Sequence, residues 1–221
     1  MAKDEREQGR ASAVSLLMRW APDRVEPSRS ADGGDRSPIP GLRLTPPAAP
    51  SARAPVFCGD VAIRIRRDGT WLYEGSPIRR KALVCLFASC LTREADGSYW
   101  LVTPTERGRI TVDDAPFVAV ELFVAGEGER QVLSFRTNVD ELIEAGPEHP
   151  IRVAHDLVTC LPTPYVRVRE GRGRFPIEAR IERAVYYELV ALAVPEMVHG
   201  ERVLGVWSGG RFFVLGPAGE P

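Results

Sequence analysis

Seven polar residues between positions 113 and 149 have side chains of the types that carry chemistry. They flank predicted strand ends, where loops from neighbouring strands converge into pockets. Carboxylates beside an arginine can serve acid–base chemistry, bind a cation or hold a polar ligand. The members of this polar cluster are Asp113, Asp114, Arg136, Thr137, Asn138, Asp140 and His149.

The same residue types also support a purely structural interpretation. Asp113 and Asp114 precede Ala115-Pro116, a combination typical of a turn. Asn138 and Asp140 would cap a short helical turn over Asp140–Glu144. Both interpretations remain open at the level of the sequence.

The spacing of the histidines gives little support to a metal site, and the residues around Ser208 give little support to a catalytic nucleophile. The three histidines, His149, His155 and His199, form no i, i+3 or i, i+4 pair with one another, so no metal site is predicted. If oxygen ligands of the cluster held a metal, calcium, magnesium or manganese would suit them better than zinc. Ser208 lies before Gly209-Gly210, but Val206 occupies a position where a nucleophile elbow needs glycine, which favours a hairpin turn. We therefore predict no catalytic residue and no cofactor.

Four arginines occupy outward positions on two similar predicted strands. Together they could form an anion-binding face, or they could form a solvated face offset by nearby acids. The net charge of −1 and the pI of about 6.3 argue against a general attraction to nucleic acid. We take as candidates for partner binding Arg64, Arg66, Arg167, Arg169 and Trp207.

The stretch Asp60–Leu91 is the best-patterned unit that could position such residues. Val61, Ile63 and Ile65 alternate with polar or small residues, which predicts a half-buried strand. Asp68-Gly69 predicts a tight turn, followed by a return strand with Trp71 and Tyr73. Ser76 and Pro77 are then expected to open a helix. Its buried stripe is predicted to contain Ile78, Ala82, Leu86 and Cys90.

Further predicted strands complete a curved antiparallel sheet packed on one helix. The later strands of this sheet are Tyr99–Thr103, Ile110–Val112, Phe117–Val124 and Val132–Arg136.

The pattern of strand, turn, strand and helix predicted for Asp60–Leu91 then occurs a second time in the chain. Val166-Arg167-Val168-Arg169 mirrors Ile63-Arg64-Ile65-Arg66, with a hairpin tip over Glu170–Gly173 and a second helix that follows. The helix presents Ile177, Ile181, Val185, Leu189 and Leu192 on one face.

The predicted class is α+β, with two similar sheet-plus-helix modules over residues 55–136 and 137–221. Residues 1–54, rich in proline, serine and arginine, are predicted to be a disordered extension. Within it, Ser12–Trp20 could form a transient helix or a docking motif for a partner.

Composition indicates a cytoplasmic protein without a membrane segment. The four cysteines form no Cys-x-x-Cys pair and are interpreted as reduced thiols. No apolar run approaches the roughly 18 residues that span a bilayer.

Several short sequence segments of the chain together resemble the bacterial family named domain of unknown function 1285. They are Phe57-Cys58-Gly59-Asp60, Arg67-Asp68-Gly69-Thr70-Trp71, Val112-Asp113-Asp114-Ala115-Pro116-Phe117, Phe135-Arg136-Thr137-Asn138-Val139-Asp140 and Gly205-Val206-Trp207-Ser208-Gly209-Gly210. The resemblance covers roughly Pro55 to Gly216 and leaves the extension outside. It implies repeated half-barrel-like modules and a part in signal transduction, and it supplies no catalytic residue or cofactor.

The leading hypothesis is a non-catalytic ligand-sensing or adaptor protein that binds a small polar molecule or a protein partner between its modules. The alternative is a metal-assisted hydrolase using Asp113, Asp114, Asn138, Asp140 and His149. A nucleic-acid binder that uses the arginine face is a third hypothesis. A homo-oligomer fits the sequence as well as a monomer does.

Overall fold

The computed structural model describes residues 56–155 and 161–218. The predicted extension over residues 1–54, with its Ser12–Trp20 segment, lies outside the described residues, as does Cys160. In the described ranges, no helix is long and apolar enough to cross a membrane.

The first sheet has six strands with α1 between the third and fourth. The elements are β1 (Val56–Ile65), β2 (Trp71–Tyr73), β3 (Ser76–Pro77), α1 (Lys81–Ser89), β4 (Leu91–Arg93), β5 (Tyr99–Val102) and β6 (Glu106–Val112). Their spatial order is β3-β2-β1-β6-β5-β4. The sheet is therefore two three-stranded meanders joined side by side along β1 and β6, which run parallel.

The second sheet repeats this arrangement. It contains β7 (Phe117–Ala125), β8 (Val132–Thr137), β9 (Leu142–Glu144), β10 (Ile151–His155), β11 (Pro162–Arg169) and β12 (Ile177–Ile181). Read from β9, the spatial order is again third, second, first, sixth, fifth, fourth, with β7 and β12 parallel. The predicted α+β class with two curved, similar modules is confirmed, and each sheet contains one parallel pair among antiparallel neighbours.

The second helix and a small third sheet complete the fold. α2 (Arg183–Ala191) follows β12, and β13 (Val194–Val198), β14 (Glu201–Ser208) and β15 (Arg211–Pro217) form an antiparallel meander. Gly209 and Gly210 join the last two strands with positive φ angles of 57° and 71°. The predicted hairpin after Ser208 is confirmed.

The change of sheet lies between Val112 and Phe117, whereas the division by sequence falls after residue 136. The prediction that Phe117–Val124 and Val132–Arg136 belong to the first sheet is wrong. Phe117 pairs with Ala179 of β12, 62 positions later, and β8 then pairs with β7. The alternation of a strand specifies its buried face but not its partner.

The hairpin before α1 follows the prediction, but the start of the helix does not. Ile63 and Ile65 are buried, and Gly69 has a φ of +82° in the turn. Ser76 and Pro77 form β3 instead of opening the helix, which begins at Lys81.

The buried face of α1 also differs from the predicted stripe. It contains Leu83, Phe87 and Ala88, because Phe87 stacks on Trp71 at 6.3 Å between ring centroids.

The predicted helical turn at residues 140–144 is wrong, and the predicted face of the second helix is correct only in part. Residues 140–144 do not form a helical turn, because Leu142–Glu144 pairs with β8 as β9 and Asp140 has a positive φ of 64°. In the second helix, Val185 and Leu189 are buried as predicted, while Ile177 and Ile181 belong to β12.

One hydrophobic core runs through both modules. It joins Ile63 and Trp71 of the first sheet to Phe117 and Phe135 of the second and to Phe213 of the third. The modules therefore share a continuous apolar interior, and polar side chains collect where the sheets meet at the surface.

Candidate ligand site between the two sheets

A cleft of about 420 Å³ lies at the junction of the first and second sheets. Arg93 and Tyr99 line it from the first sheet, and Asp114 lines it from the connecting segment. The second sheet contributes Arg152, Tyr165 and Glu178 to the wall. Both modules and their connection thus form one concave surface.

A second depression of about 490 Å³ extends along the first sheet from this cleft. The two share Arg93, Tyr99 and Asp114. The junction cleft is therefore part of a larger concave region.

Asp114 ties the connecting segment to both sheets. Its Oδ1 accepts a hydrogen bond of 2.8 Å from the hydroxyl of Tyr165. Its Oδ2 lies 3.4 Å from Nε of Arg67 and 3.6 Å from Nε of Arg180, within ion-pair distance but longer than a hydrogen bond. The carboxylate is consequently surrounded by one hydroxyl and two cations.

Arg152 and Glu178 form a two-pronged ion pair in the wall of the cleft. Nε and Nη2 of Arg152 each donate a hydrogen bond of 2.6 Å to a separate carboxylate oxygen of Glu178. The guanidinium lies 4.3 Å from the centre of the Tyr165 ring. Glu178 is 8% exposed, so a partner is required to offset the cost of burying its charge. Its hydrogen bond raises the pKa of Arg152 further above the usual value.

Arg93 is held on the opposite wall by two carbonyl groups and two aromatic rings. Its Nε donates to the carbonyl of Gly97 at 3.2 Å and its Nη1 to the carbonyl of Pro176 at 2.8 Å. The guanidinium lies 4.8 Å from the Tyr99 ring centre and 5.1 Å from that of Phe175. Two carbonyls and two aromatic rings fix its orientation.

The tip of the β11–β12 hairpin closes one side of the cleft. The amide of Arg172 donates a 2.6 Å hydrogen bond to the carbonyl of Arg93. A Cβ on Gly171 would overlap the carbonyl oxygen of Phe175 and approach that of Arg93 at 3.0 Å. Glycine therefore permits the tip to contact the first sheet.

Two tyrosines of the cleft are strongly perturbed. Burial raises the pKa of Tyr99 to about 12. Burial, followed by the hydrogen bond to Asp114, raises the pKa of Tyr165 to about 12 as well. Both hydroxyls therefore stay protonated further into the alkaline range than an ordinary tyrosine, and the proton of Tyr165 is already donated to Asp114.

The structure places only Asp114 of the predicted polar cluster in the lining of the cleft. Asp113 points elsewhere and accepts a 2.7 Å hydrogen bond from exposed Arg64. His149 lies close by, with Nδ1 3.1 Å from the carbonyl oxygen of Arg167.

Arg136 and Asp140 belong to a separate surface network. Nε of Arg136 donates to Glu121 at 2.6 Å, and Asp140 is 2.6 Å from the amine of Lys81. Lys81 holds the pKa of Asp140 below its usual range.

Thr137 and Asn138 stabilise turns. Thr137 is fully buried and its hydroxyl accepts from the amide of Glu141 at 3.1 Å. Asn138 accepts from the amide of Val118 and donates to the carbonyl of Gly69. Thr137 therefore stabilises its own turn, and Asn138 joins the turn after β8 to the β1–β2 hairpin of the first sheet.

The four candidate arginines do not share one face. Arg64 and Arg66 are exposed, whereas Arg167 lines the cleft. Arg169 is half-buried and donates to the carbonyl of Ala88 at 2.6 Å. Trp207 packs on Phe212 with ring centroids 5.3 Å apart.

A metal centre finds no support in the ranges 56–155 and 161–218, where no three His, Cys, Asp or Glu side chains lie close enough to hold an ion. Ser208 is fully buried, donates to the carbonyl of Ala145 at 2.6 Å and accepts from the amide of Leu133. Its hydroxyl therefore has a structural role.

Most of the residues that line the cleft were not identified from the sequence. Arg152 and Glu178 are 26 positions apart on non-adjacent strands, and nothing local pairs them. Arg93 looks like an ordinary strand residue. Two lining residues carry a usable signal, Asp114 by its position in a break between two strands and Arg167 by its outward position on a predicted strand.

Comparison with known proteins identifies relatives along most of the described chain. The model of "Domain of unknown function (DUF1285), N-terminal domain" matches residues 50–115. The model of "Protein of unknown function (DUF1285), C-terminal domain" matches residues 116–215. No curated protein matches the chain.

Two solved structures are similar. A DUF1285 family protein from Silicibacter pomeroyi DSS-3 is 48% identical, with a TM-score of 0.66, over 74% of this chain and 84% of that one. A DUF1285 family protein from Shewanella baltica OS155 is 26% identical, with a TM-score of 0.45, over 59% of this chain and 91% of that one.

Proposed function

We propose, from the premise that this chain belongs to the DUF1285 family, that it is a non-catalytic protein that binds a small polar ligand in the junction cleft. The observation that carries the proposal is the composition of the cleft wall. Arg93 and Tyr99 come from one module, and Arg152 and Tyr165 come from the other. A molecule in the cleft would contact both.

The lining suits a polar ligand with some apolar surface. Aromatic rings supply contact area, and charged groups in defined orientations supply specificity. Arg93 is fixed by two carbonyls and two rings, and Arg152 is fixed by Glu178. Side chains that are already ordered lose little entropy on binding, which favours affinity.

In this proposal the protein acts in the cytoplasm as a sensor or adaptor in signal transduction. A ligand that contacts both modules binds best to one arrangement of them and shifts the population toward it. A change in that arrangement would alter the surface offered to a protein partner. Ligand binding and partner binding would then be coupled.

A thermal-shift screen of polar metabolites tests the proposal. A ligand at a hundredfold its dissociation constant stabilises the fold by about 2.7 kcal/mol. We expect Phe175→Ala, which removes a ring from the cleft wall, to weaken the response, while Phe123→Ala on an exposed part of β7 leaves it intact. An equal response in the two variants would place the ligand elsewhere. No response to any compound, together with no captured protein partner, would refute the proposal.

The alternative, a metal-assisted hydrolase, has less geometric support. Of its five proposed residues, Asp114 lines the cleft, and Asp113 and Asp140 are in separate ion pairs. Asn138 bonds to backbone groups, and His149 lies 3.1 Å from the carbonyl oxygen of Arg167. A metal-dependent turnover that Asp114→Asn abolishes without loss of stability would favour this alternative.

A further inference from the structure

The charges that line the junction cleft do not cancel. Three arginines, Arg93, Arg152 and Arg167, face two carboxylates, Asp114 and Glu178. Both carboxylates are already partnered within the protein. Glu178 holds Arg152 through two hydrogen bonds, and Asp114 lies between Arg67 and Arg180. The positive charges of Arg93 and Arg167 remain to be accounted for.

Arg93 has no carboxylate partner in the described chain. Its two hydrogen bonds go to the neutral carbonyls of Gly97 and Pro176. In residues 56–155 and 161–218, no carboxylate lies within 4.0 Å of its guanidinium. A half-buried guanidinium held only by neutral acceptors keeps its full charge in a region of reduced dielectric constant, where an anion is attracted strongly.

The positive charge of Arg167 is only partly neutralised by a carboxylate of the protein. Its Nη1 donates to Glu170 at 2.6 Å, but the side chain of Glu170 is 71% exposed, so solvent screens this pair. Nε of Arg167 is buried and has no hydrogen-bond partner in the part of the chain that the structure describes. This Nε is enclosed by the protein, so an anion in the cleft would contact the Nη groups of Arg167.

From these contacts we infer that the ligand of the junction cleft carries an oxyanion group, a carboxylate or a phosphate, bound by Arg93 and Arg167. This inference rests on the proposed function and specifies the chemical class of the ligand. The planar guanidinium presents paired N–H groups that match two oxygens of one anion. The rings of Tyr99 and Phe175 hold the plane of Arg93, so the donor direction is set before the anion arrives.

The experiment is a calorimetric titration of the full chain with inorganic phosphate and, separately, with acetate at constant ionic strength. Chloride serves as the reference anion. The test variant is Arg167→Gln, which removes the charge and leaves Glu170 in solvent. The matched control is Arg64→Gln, which likewise removes an arginine from a surface ion pair, with Asp113, but lies outside the cleft lining. Circular dichroism verifies that both variants fold.

We expect at least one of the two anions to bind the wild-type protein and Arg64→Gln with equal affinity. For Arg167→Gln we expect the dissociation constant to rise about tenfold, as loss of one charge-assisted hydrogen bond predicts. In a second variant, Arg93→Lys keeps the charge but loses the planar fork, and we expect weaker binding there too. Phosphate binding without acetate binding identifies a phosphate ligand, and the reverse identifies a carboxylate.

Two results would overturn the inference. Binding of neither anion to the wild-type protein is one, and equal anion binding by Arg167→Gln and Arg64→Gln is the other. If neutral metabolites still stabilise the protein in the thermal screen and Phe175→Ala suppresses that response, the junction site stands and only the oxyanion class is wrong. If no compound binds, the proposed function fails as well.

Discussion

The hydroxyl of Tyr165 donates a 2.8 Å hydrogen bond to Oδ1 of Asp114. Tyr165 lies in β11 of the second sheet, and Asp114 lies in the segment between the two sheets. The contact therefore fixes the connection between modules at the edge of the proposed ligand site. Because Asp114 also faces Arg67 and Arg180, a change at this point affects elements of both sheets.

Removal of this hydroxyl tests the contact. We expect Tyr165→Phe to lower the free energy of unfolding by about 1–2 kcal/mol, because a partly buried carboxylate loses a donor. Urea denaturation measures the change as a lower midpoint with an unchanged slope. The control is Tyr187→Phe, whose hydroxyl accepts from Arg183 on the exposed face of α2 and contributes little. Equal midpoints for the two variants would show that the Tyr165–Asp114 contact does not stabilise the fold.

We expect the Arg152–Glu178 ion pair to contribute more to the free energy of unfolding than a surface ion pair does. Glu178→Gln leaves a guanidinium beside a neutral amide, and we expect a loss of about 1–3 kcal/mol. This is less than for a fully buried pair because the Arg152 side chain is 50% exposed. Chemical denaturation measures the loss. Glu121→Gln, which breaks the exposed pair with Arg136, is the matched control and should be neutral within error. A larger effect at Glu121 than at Glu178 would contradict the assignment of burial at the cleft.

The two perturbed tyrosines predict a pH dependence in the alkaline range. Burial raises the pKa values of Tyr99 and Tyr165 from 10.0 to about 12 in the folded state. Between these values the unfolded chain has lost the protons that the folded chain still binds. Stability conferred by the raised pKa is therefore complete below pH 10 and is lost as the pH rises toward 12, by at most about 1.4 kcal/mol per pH unit for each tyrosine.

Tyrosinate absorbance and urea denaturation measured across that range check the prediction. Of the five tyrosines in the chain, two should ionise well after the others. In Tyr165→Phe one of the two most strongly shifted tyrosines, Tyr99, remains, and the fall in stability with pH should become shallower. Ionisation of all five near the ordinary value would contradict the burial of these hydroxyls.

Gly171 should be intolerant of a side chain. A Cβ there would overlap the carbonyl oxygen of Phe175, so Gly171→Ala must shift the hairpin tip away from Arg93. We expect a loss of about 1–3 kcal/mol and weaker ligand binding in the cleft. Gly216→Ala is the control, since no atom lies within 4 Å of its added Cβ and its φ is not in the left-handed region. Unchanged stability of Gly171→Ala would show that the tip does not pack as described.

The sequence predicts local elements well wherever alternation and turn chemistry agree. Ile63 and Ile65 are buried while Arg64 between them is exposed, as the two-residue period requires. Gly209-Gly210 forms the hairpin that its composition predicts. A strand, a turn, a strand and a helix also follow one another at β11, β12 and α2, but the predicted equivalence of β11 with β1 is wrong, because β11 takes the position of β5 and β7 takes that of β1.

Long-range pairing is what the sequence leaves undetermined. The pairing of β7 with β12 assigns two predicted strands to another sheet, and no periodicity encodes it. The site depends on such pairings, since Arg152 meets Glu178 across β11, and Arg93 reaches Pro176, 83 positions away. The members of the polar cluster are close in sequence, but the fold distributes them over several surfaces.

The central claim is that one ligand contacts both sheets at their junction. It is tested most directly by following assigned amide and arginine Nε–H signals by NMR while inorganic phosphate is added. The account predicts that signals of Arg93 and Tyr99 in the first sheet and of Arg167 and Tyr165 in the second shift together with one dissociation constant, while Arg64 is unaffected. Shifts confined to one sheet, or centred on Arg64 and Asp113, would contradict it.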